Sequence, residues 1–431
     1  MRLWYLVFVA SPAFVLIMPG GHSVWPVLLA VVGLFYASAP HAENRYTTDH
    51  EVRRSWTWLL GGFLLFVSTS IFLGLWHGND WGYYEMFIPF LLFPAIAWLI
   101  RAGRWEPSWW FIAVGTGALL ACAYACYQIF GLGMTRAMGA LKHPIPFGNT
   151  AIVLAAVSLL AAVLYPFSPK VRVYARFFLV ICGLAGVFAS LLSGSKGGWP
   201  SLLIIAVVLG YLATAQWARG ARHLAALGAV LVITTAAFLA PSHVVKDRLV
   251  TGINGAVHWL ETGNVVDDSV SIRFEIWKLS LHIISEKPWL GHGTEGSLER
   301  WKEKLDGGLY HPKLVAYAAS DAKIRPGENE ILSALLGGGV LGVLALFSAY
   351  AGIWLSFWRW RNHTDQTIKT CSTIGLLLVP LYLEFGLSVA VMHTNTFRTV
   401  FVTFAVVMLS FITVRQYRLL AQVPQKNLLK G

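Results

Sequence analysis

Twelve apolar stretches, each close to the length that crosses a lipid bilayer, constrain this chain of 431 residues most strongly. A spanning helix needs about 20 mostly apolar residues, with a usual range of about 17 to 25. The stretches lie near 3–19, 24–39, 56–76, 83–100, 109–130, 147–165, 175–193, 199–217, 224–240, 330–358, 370–391 and 395–414. They lack the alternation of apolar and polar residues that marks a membrane barrel. The sequence therefore predicts an all-α polytopic membrane protein with about twelve transmembrane helices.

The composition agrees with a bilayer as the main solvent of the side chains. Charged residues make up 13% of the chain, against roughly 25% in an ordinary soluble domain. The net charge of +12 would favour a nucleic-acid partner in a soluble protein, but here its distribution matters more. One side of the predicted spans carries 18 Lys and Arg with five Asp and Glu. The positive-inside rule therefore predicts both termini in the cytoplasm. Because the positive charge is explained by membrane topology, we expect no nucleic-acid partner.

The longest connection, residues 241–329, falls on the extracytoplasmic side and carries 11 Lys and Arg with 12 Asp and Glu. A connection of this length in a compact protein is usually functional. Phe274, Trp277, Leu281 and Ile284 recur at helical spacing, which predicts an amphipathic helix along the outer leaflet.

This connection divides the chain into three parts. Residues 1–240 hold predicted spans 1 to 9, and residues 241–329 form a periplasmic loop domain with short helices. A second polar helix of that domain is predicted near 297–305, after a glycine-rich corner. Residues 330–431 hold spans 10 to 12 and a cytoplasmic tail.

The sequence contains no motif for nucleotide or cofactor chemistry. It lacks an ATP-binding loop, a dinucleotide fingerprint, a paired-cysteine zinc site and a Gly-x-Ser-x-Gly elbow. The four cysteines, Cys122, Cys126, Cys182 and Cys371, lie in or beside apolar stretches, where they pack as small residues. We therefore expect no metal, cofactor or nucleotide.

Basic residues stand at the outer ends of several apolar stretches: Arg136, Lys142, Lys196, Arg273 and Arg398. A cation in partly dehydrated surroundings needs an anion, and these span ends offer no dedicated carboxylate for each of them. An anionic lipid headgroup is the natural partner.

Lys196 lies in the tight outward turn at residues 193–200, which read SGSKGGWP. Small residues there let a phosphate approach free backbone amides beside the ammonium group. The alternative is a lysine that only snorkels to headgroups. Arg273 can grip two phosphate oxygens or form a salt bridge to Asp267 or Asp268. Arg136, with Lys142 and His143, forms a third basic turn, for which an ordinary lipid contact is the alternative.

A general base is needed if this site transfers a group. Glu328 stands with Asn329 at the entrance to the tenth span, where the alternative role is helix capping. The unperturbed imidazole of a histidine has a pKa of ~6.5, so His311 is either a base suited to neutral pH or a solvated loop histidine. His143, His292, Glu330 and His393 are further outward-facing candidates. Glu384, deep in the eleventh predicted span, forms either a proton route or a hydrogen bond to a neighbouring helix.

Four separated motifs resemble the bacterial O-antigen ligase family, which is related to O-antigen polymerases and protein O-oligosaccharyltransferases. They begin at Arg136, Ser195, Ser271 and Asn329 and read RAMGALKHPIPFG, SKG, SIRFEIW and NEIL. PWLGHG at residues 288–293 accompanies the third, and Gly339 and Gly342 accompany the fourth. The order of these motifs and the large outer loop agree with that family.

The resemblance implies a metal-independent, inverting membrane glycosyltransferase of the GT-C type. Such enzymes move a glycan from undecaprenyl diphosphate to the lipid A core oligosaccharide on the periplasmic side of the inner membrane. Lys196 and Arg273 take the places of the basic residues expected to hold the diphosphate. Arg136, Lys142, His143 and Asn329 are expected to line the substrate site, among surrounding membrane lipids.

One position departs from the family pattern. Relatives usually carry a histidine directly before the asparagine that opens the tenth span, and here that residue is Glu328. Either Glu328 or His311 then acts as the base, or the chain is altered at this step. An O-antigen polymerase, a protein O-oligosaccharyltransferase and, from another class, a lipid-linked glycan flippase are the competing interpretations. The sequence lacks the matching broken halves typical of transporters.

Overall fold

The computed structural model describes residues 2–37, 49–216, 246–265, 270–307, 310, 314–315 and 327–422. Within these ranges the secondary structure is helical. The helices are α1 (Arg2–Ala10), α2 (Gly21–Ala37), α3 (His50–His77), α4 (Trp81–Tyr84), α5 (Ile88–Gly103), α6 (Pro107–Cys126), α7 (Pro144–Leu164), α8 (Arg172–Ser193), α9 (Pro200–Gln216), α10 (Lys246–Thr262), α11 (Ser271–Glu286), α12 (Thr294–Asp306), α13 (Glu330–Trp358), α14 (Gln366–Gly386) and α15 (Asn395–Gln422).

The predicted membrane class is confirmed. In the described part of the chain, eight helical segments are long and apolar enough to cross a bilayer. They contain α3, α5, α6, α7, α8, α13, α14 and α15. Three predicted spans are shorter apolar helices, at Tyr5–Phe14, Gly21–Phe35 and Lys196–Leu212. The ninth predicted span, 224–240, lies outside the described residues.

Two helix ends differ from the prediction. The first stretch, predicted over 3–19, is regular only to Ala10 and continues as a short 3₁₀ turn, Ser11–Phe14. Pro12, in that turn, has no backbone N–H to continue an α-helix. The eleventh stretch was predicted over 370–391 but ends at Gly386, which places Glu384 in its last turn and not deep in the span.

Helices α7 and α15 form the centre of the molecule. Almost every residue of α15 from Thr396 to Val414 is buried, and α7 is buried along most of its length. Trp110 of α6 contacts Phe404 of α15 with ring centroids 5.0 Å apart. These two helices are apolar all round because they face other helices on every side.

Helices α3 and α13 pack along much of their length through small and hydroxyl-bearing residues. Ser348 Oγ donates to the carbonyl of Gly62 at 3.1 Å, and Ser356 Oγ donates to the carbonyl of Ser55 at 2.9 Å. The Trp360 indole donates to Ser55 Oγ at 2.8 Å. Such interhelical hydrogen bonds stabilise helix pairs where lipid supplies no hydrophobic driving force.

Helix α13 is broken at Gly339, which has φ 59° and ψ −153°. The break interrupts the regular helical hydrogen bonds between the two halves of α13. His292 N donates to Leu336 O at 2.8 Å, and Gly293 N donates to Gly337 O at 3.1 Å. Segment 288–293 thus satisfies the carbonyl end of the broken helix.

The same segment also satisfies the amide end of the break. Val340 N donates to Pro288 O at 2.8 Å, and Leu341 N donates to Trp289 O at 3.3 Å. His77 Nε2, at the end of α3, donates to Leu290 O at 2.8 Å. Residues 340–358 alone are about 28 Å long as a helix, enough to cross the hydrocarbon core. The first half of α13 and segment 288–293 are therefore joined by hydrogen bonds into one unit at the N-terminal end of α13.

The two predicted loop-domain helices are confirmed as α11 and α12, and α11 carries a second, buried apolar stripe beside the apolar face that the sequence predicts to lie along the outer leaflet. The fully buried stripe is Ile276, Leu279 and Ile283, whereas Leu281 is 56% exposed. This stripe packs with Trp301 of α12 in a separate small core beside α13. Apolar residues therefore lie on two adjacent faces of α11.

Glu286 at the end of α11 holds α12 through two cations. Its Oε1 lies 2.8 Å from Lys304 Nζ, and its Oε2 lies 2.7 Å from Arg300 Nη2. The hydrogen bond from Lys304, together with that from Arg300, lowers the pKa of Glu286 to about 2 despite partial desolvation. The carboxylate is therefore charged at any physiological pH.

Glu286→Gln is expected to weaken the docking of α12 by about 1 kcal/mol at pH 7. Because the folded-state pKa lies below the unfolded value, this stabilisation is complete above pH ~4.5 and is lost as pH falls toward 2. Thermal unfolding at pH 7 and pH 3 measures it: the wild type should lose stability on acidification more than the variant. Glu299→Gln, on the exposed side of α12, is the control. Equal acid sensitivity of wild type and Glu286→Gln would contradict this role.

Candidate functional site

The turn between α8 and α9 presents Lys196 from a fixed backbone. Lys196 opens a 3₁₀ turn, Lys196–Gly198, and is half-buried. Ser195 Oγ donates to Asn149 Oδ1 at 3.1 Å, and Asn149 is fully buried in the second turn of α7. Ser193 Oγ accepts from Ser195 N at 3.2 Å. The bond to Asn149 anchors the backbone directly before Lys196 to the bundle core.

The expected set of free amides in this turn is wrong. Lys196 N donates to Gly194 O at 3.1 Å, Gly198 N to Ser195 O at 3.1 Å, and Trp199 N to Lys196 O at 3.2 Å. The small residues permit a tight turn, and the backbone N–H groups of Lys196, Gly198 and Trp199 donate to carbonyls within the turn itself. An anion at this place would meet chiefly the ammonium group of Lys196.

Arg136 is joined to the same turn. Its Nε donates to Ser193 O at 2.8 Å, and its Nη2 donates to Gly194 O at 3.3 Å. The guanidinium therefore supports the backbone that precedes Lys196. A direct contact of Arg136 with substrate stays a prediction.

The other members of the first basic motif have more peripheral positions. Lys142 and His143 are exposed, and Lys142 takes a left-handed backbone conformation with φ 58°. His143 Nδ1 accepts from Ile145 N at 3.3 Å and thereby caps α7. The geometry gives His143 a structural task at the start of the helix.

Arg273 and Glu328 form an ion pair that the sequence did not predict. Arg273 Nε lies 3.1 Å from Glu328 Oε2, and the two side chains are 20% and 22% exposed. Asp267 and Asp268, the partners considered for Arg273, lie outside the described residues. The pair places a carboxylate and a guanidinium side by side at the N-terminal end of α13.

Glu328 does not cap α13; Asn329 does. Asn329 Oδ1 accepts from Ile331 N at 2.9 Å and from Leu332 N at 3.1 Å. Glu328 precedes the cap in a left-handed conformation with φ 37°, which is rare for a residue with a side chain. Backbone strain of this kind is common at functional sites.

Contacts connect the Lys196 turn to the Arg273–Glu328 pair. Asn329 Nδ2 donates to Leu387 O at 3.2 Å. The next residue, Ser388, lies so close to Gly197 that a Cβ atom at Gly197 would be 2.1 Å from its Oγ. The loop after α14 thus touches both parts, and Lys196, Arg136, Arg273, Glu328 and Asn329 belong to one connected group, which we call the cationic site.

Other predicted acid–base groups have structural partners or lie elsewhere. Glu330 is buried and accepts from Met392 N at 3.0 Å. His292 Nε2 donates to Ile283 O at 3.1 Å, and burial lowers the pKa of His292. Glu384 accepts a hydrogen bond from Ser201 at the start of α9, which agrees with its predicted role as a hydrogen-bond partner of a neighbouring helix. His311 lies outside the described residues.

Asn149 was missed by the sequence analysis, although it directly follows the quoted motif ending at Gly148. A lone amide side chain at the start of an apolar span was the available signal. Among the described residues, no group of three or more His, Cys, Asp or Glu comes together.

Comparison with known proteins bears on the same region. A family model described as O-antigen ligase matches residues 181–347, a range that includes Lys196, Arg273 and Glu328. An uncharacterized protein of Haemophilus influenzae is 22% identical over 386 residues, which are 89% of this chain and 91% of that protein. The sequence similarity to that protein therefore extends over most of both chains.

A relative with a functional name matches a smaller part. An O-antigen ligase of Pseudomonas aeruginosa is 29% identical over 134 residues, which are 31% of this chain and 27% of that protein. Both matches carry the description O-antigen ligase. The resemblance of this multi-pass membrane protein to the O-antigen ligase family is thereby confirmed, with the family domain at residues 181–347.

Proposed function

We propose that the protein transfers O-antigen from undecaprenyl diphosphate to the lipid A core oligosaccharide at the periplasmic face of the inner membrane. The observation that carries this proposal is the cationic site, because two of its cations, Lys196 and Arg273, lie within the matched family domain. The charge asymmetry of the loops supports an outward-facing site. A lipid-borne diphosphate is the anion that best matches the cationic site.

Lys196 and Arg273 would act on the leaving group. As the bond between the anomeric carbon and the diphosphate oxygen breaks, negative charge grows on that oxygen. Fixed cations in a partly dry site stabilise this charge more in the transition state than in the bound donor. Arg136 would support this step by holding the turn that carries Lys196.

The acceptor hydroxyl would attack the anomeric carbon from the opposite face. A new glycosidic bond forms, the hydroxyl proton passes to a base, and undecaprenyl diphosphate leaves with the bonding electron pair. Glu328 is the proposed base, with the Arg273 ion pair orienting its carboxylate. Direct displacement inverts the anomeric configuration.

Reconstituted proteoliposomes test the proposal. They contain the protein, undecaprenyl-diphosphate-linked glycan and a lipid A core acceptor, and the products are separated by mass. A lipid A conjugate with an inverted anomeric coupling in its NMR spectrum is the expected result. A ladder of longer donor-linked chains would instead identify a polymerase, a glycosylated protein an O-oligosaccharyltransferase, and donor movement without a new bond a flippase.

A further inference from the structure

Helix α10 lies directly against the cationic side chain of the α8–α9 turn. We infer that Gly252 of α10 is a positioning residue for Lys196, because its missing side chain leaves the place that the ammonium end occupies. The inference rests on the proposed function and deepens it. It gives α10, a helix that the sequence did not predict, a part in donor binding.

The contact is specific to the end of the lysine side chain. A Cβ atom built at Gly252 would lie 2.6 Å from Lys196 Nζ and 3.6 Å from Lys196 Cε. The Val270 side chain, just before α11, would be 3.3 Å away. Gly252 itself is buried. The ammonium group therefore fills a notch on α10 that any side chain at position 252 would close.

The other end of α10 is fixed to the helix that carries Arg273. Trp259 Nε1 donates to Glu275 Oε1 at 2.9 Å, and Glu275 is 3% exposed. The ring centroids of Trp259 and Phe274 are 4.9 Å apart. Gly252 and Trp259 are seven residues apart and so share one helix face. This face contacts Lys196 at one end and α11 at the other, which sets the relative placement of Lys196 and Arg273.

The physical consequence of a methyl group at position 252 is local. The closest atom is the far end of a flexible side chain, so Lys196 moves by roughly 1 Å while α10 keeps its place. Alanine also has a higher helix propensity than glycine, so α10 is not weakened. A misplacement of roughly 1 Å in a charge-stabilising group costs up to about 10²-fold in rate.

Gly252→Ala tests the inference with two readouts: the affinity for undecaprenyl diphosphate in lipid nanodiscs and the transfer rate. We expect binding to weaken about tenfold and transfer to fall about 10- to 100-fold, with an unchanged or higher unfolding temperature. Gly61→Ala in α3 is the matched control, because nothing lies within 4 Å of a Cβ atom there. That control should leave both readouts unchanged.

A double-mutant cycle separates positioning from a general structural role. In a Lys196→Ala background, Gly252→Ala should have no further effect, because the group that it displaces is gone. Equal losses in both backgrounds, or wild-type binding by Gly252→Ala, would overturn the inference. A wild-type protein that binds undecaprenyl diphosphate but transfers no glycan would contradict the proposed function. In that case the double-mutant cycle, measured by binding alone, would still test the role of Gly252.

Discussion

Alanine at Lys196 or at Arg273 is expected to lower the rate of glycan transfer about 10²- to 10³-fold, or ~3 to 4 kcal/mol in activation free energy. Each side chain would stabilise charge that develops on the leaving diphosphate. Steady-state kinetics in proteoliposomes measure the effect, and the loss should fall mainly on kcat, because the stabilisation grows in the transition state.

Two controls separate this role from structural damage. Lys278→Ala removes a cation from the same helix as Arg273, but its side chain is 65% exposed, and transfer should be nearly unchanged. Glu328→Gln removes the ion pair while keeping Arg273. If Arg273 served only to hold Glu328, Glu328→Gln and Arg273→Ala would weaken diphosphate binding equally. We expect weakened binding for Arg273→Ala alone.

Gly339→Ala is expected to lower the free energy of unfolding by about 3 to 5 kcal/mol. A Cβ atom there would lie 2.3 Å from the carbonyl carbon of Trp289 and 2.5 Å from the amide nitrogen of Leu290. These are backbone atoms that cannot rotate away. The backbone at φ 59° and ψ −153° is also accessible essentially to glycine only. The substitution therefore expels segment 288–293 from the break in α13.

Hydrogen exchange locates this effect. The amides of His292, Gly293, Val340 and Leu341 donate across the break and should lose protection together in Gly339→Ala. Gly337→Ala is the matched control: it lies two residues away in the same helix, and nothing is within 4 Å of its Cβ position. Unchanged protection in Gly339→Ala, or equal losses in both variants, would contradict this account of the break.

The membrane helices were predictable because spanning length is a local property of the sequence. Eleven of the twelve predicted stretches fall wholly or almost wholly on described residues, and the described part of each is helical along most of its length. The ends were less predictable. The end of α14 at Gly386 depends on the fold of the loop that follows, so Glu384 was placed too deep.

The cationic site was predictable by residue type but not by pairing. Lys196 and Arg273 stood out as cations at span ends, whereas the Arg273–Glu328 pair joins residues separated by 55 positions. Nothing local in the sequence encodes such a contact. Gly339 belongs to one of the family motifs, but a single glycine in an apolar stretch does not reveal that a distant segment completes the hydrogen bonds of a broken helix. Gly252 gave no signal, since its role depends on the position of Lys196.

The most direct test of the central claim compares two lipids that differ by one phosphate. Binding of undecaprenyl diphosphate and undecaprenyl monophosphate is measured by titration into nanodiscs containing wild type, Lys196→Ala, Arg273→Ala or the double variant. The account predicts that the wild type prefers the diphosphate at least about tenfold and that the double variant loses this preference. Equal affinity of the wild type for both lipids, or an intact preference in the double variant, would contradict it.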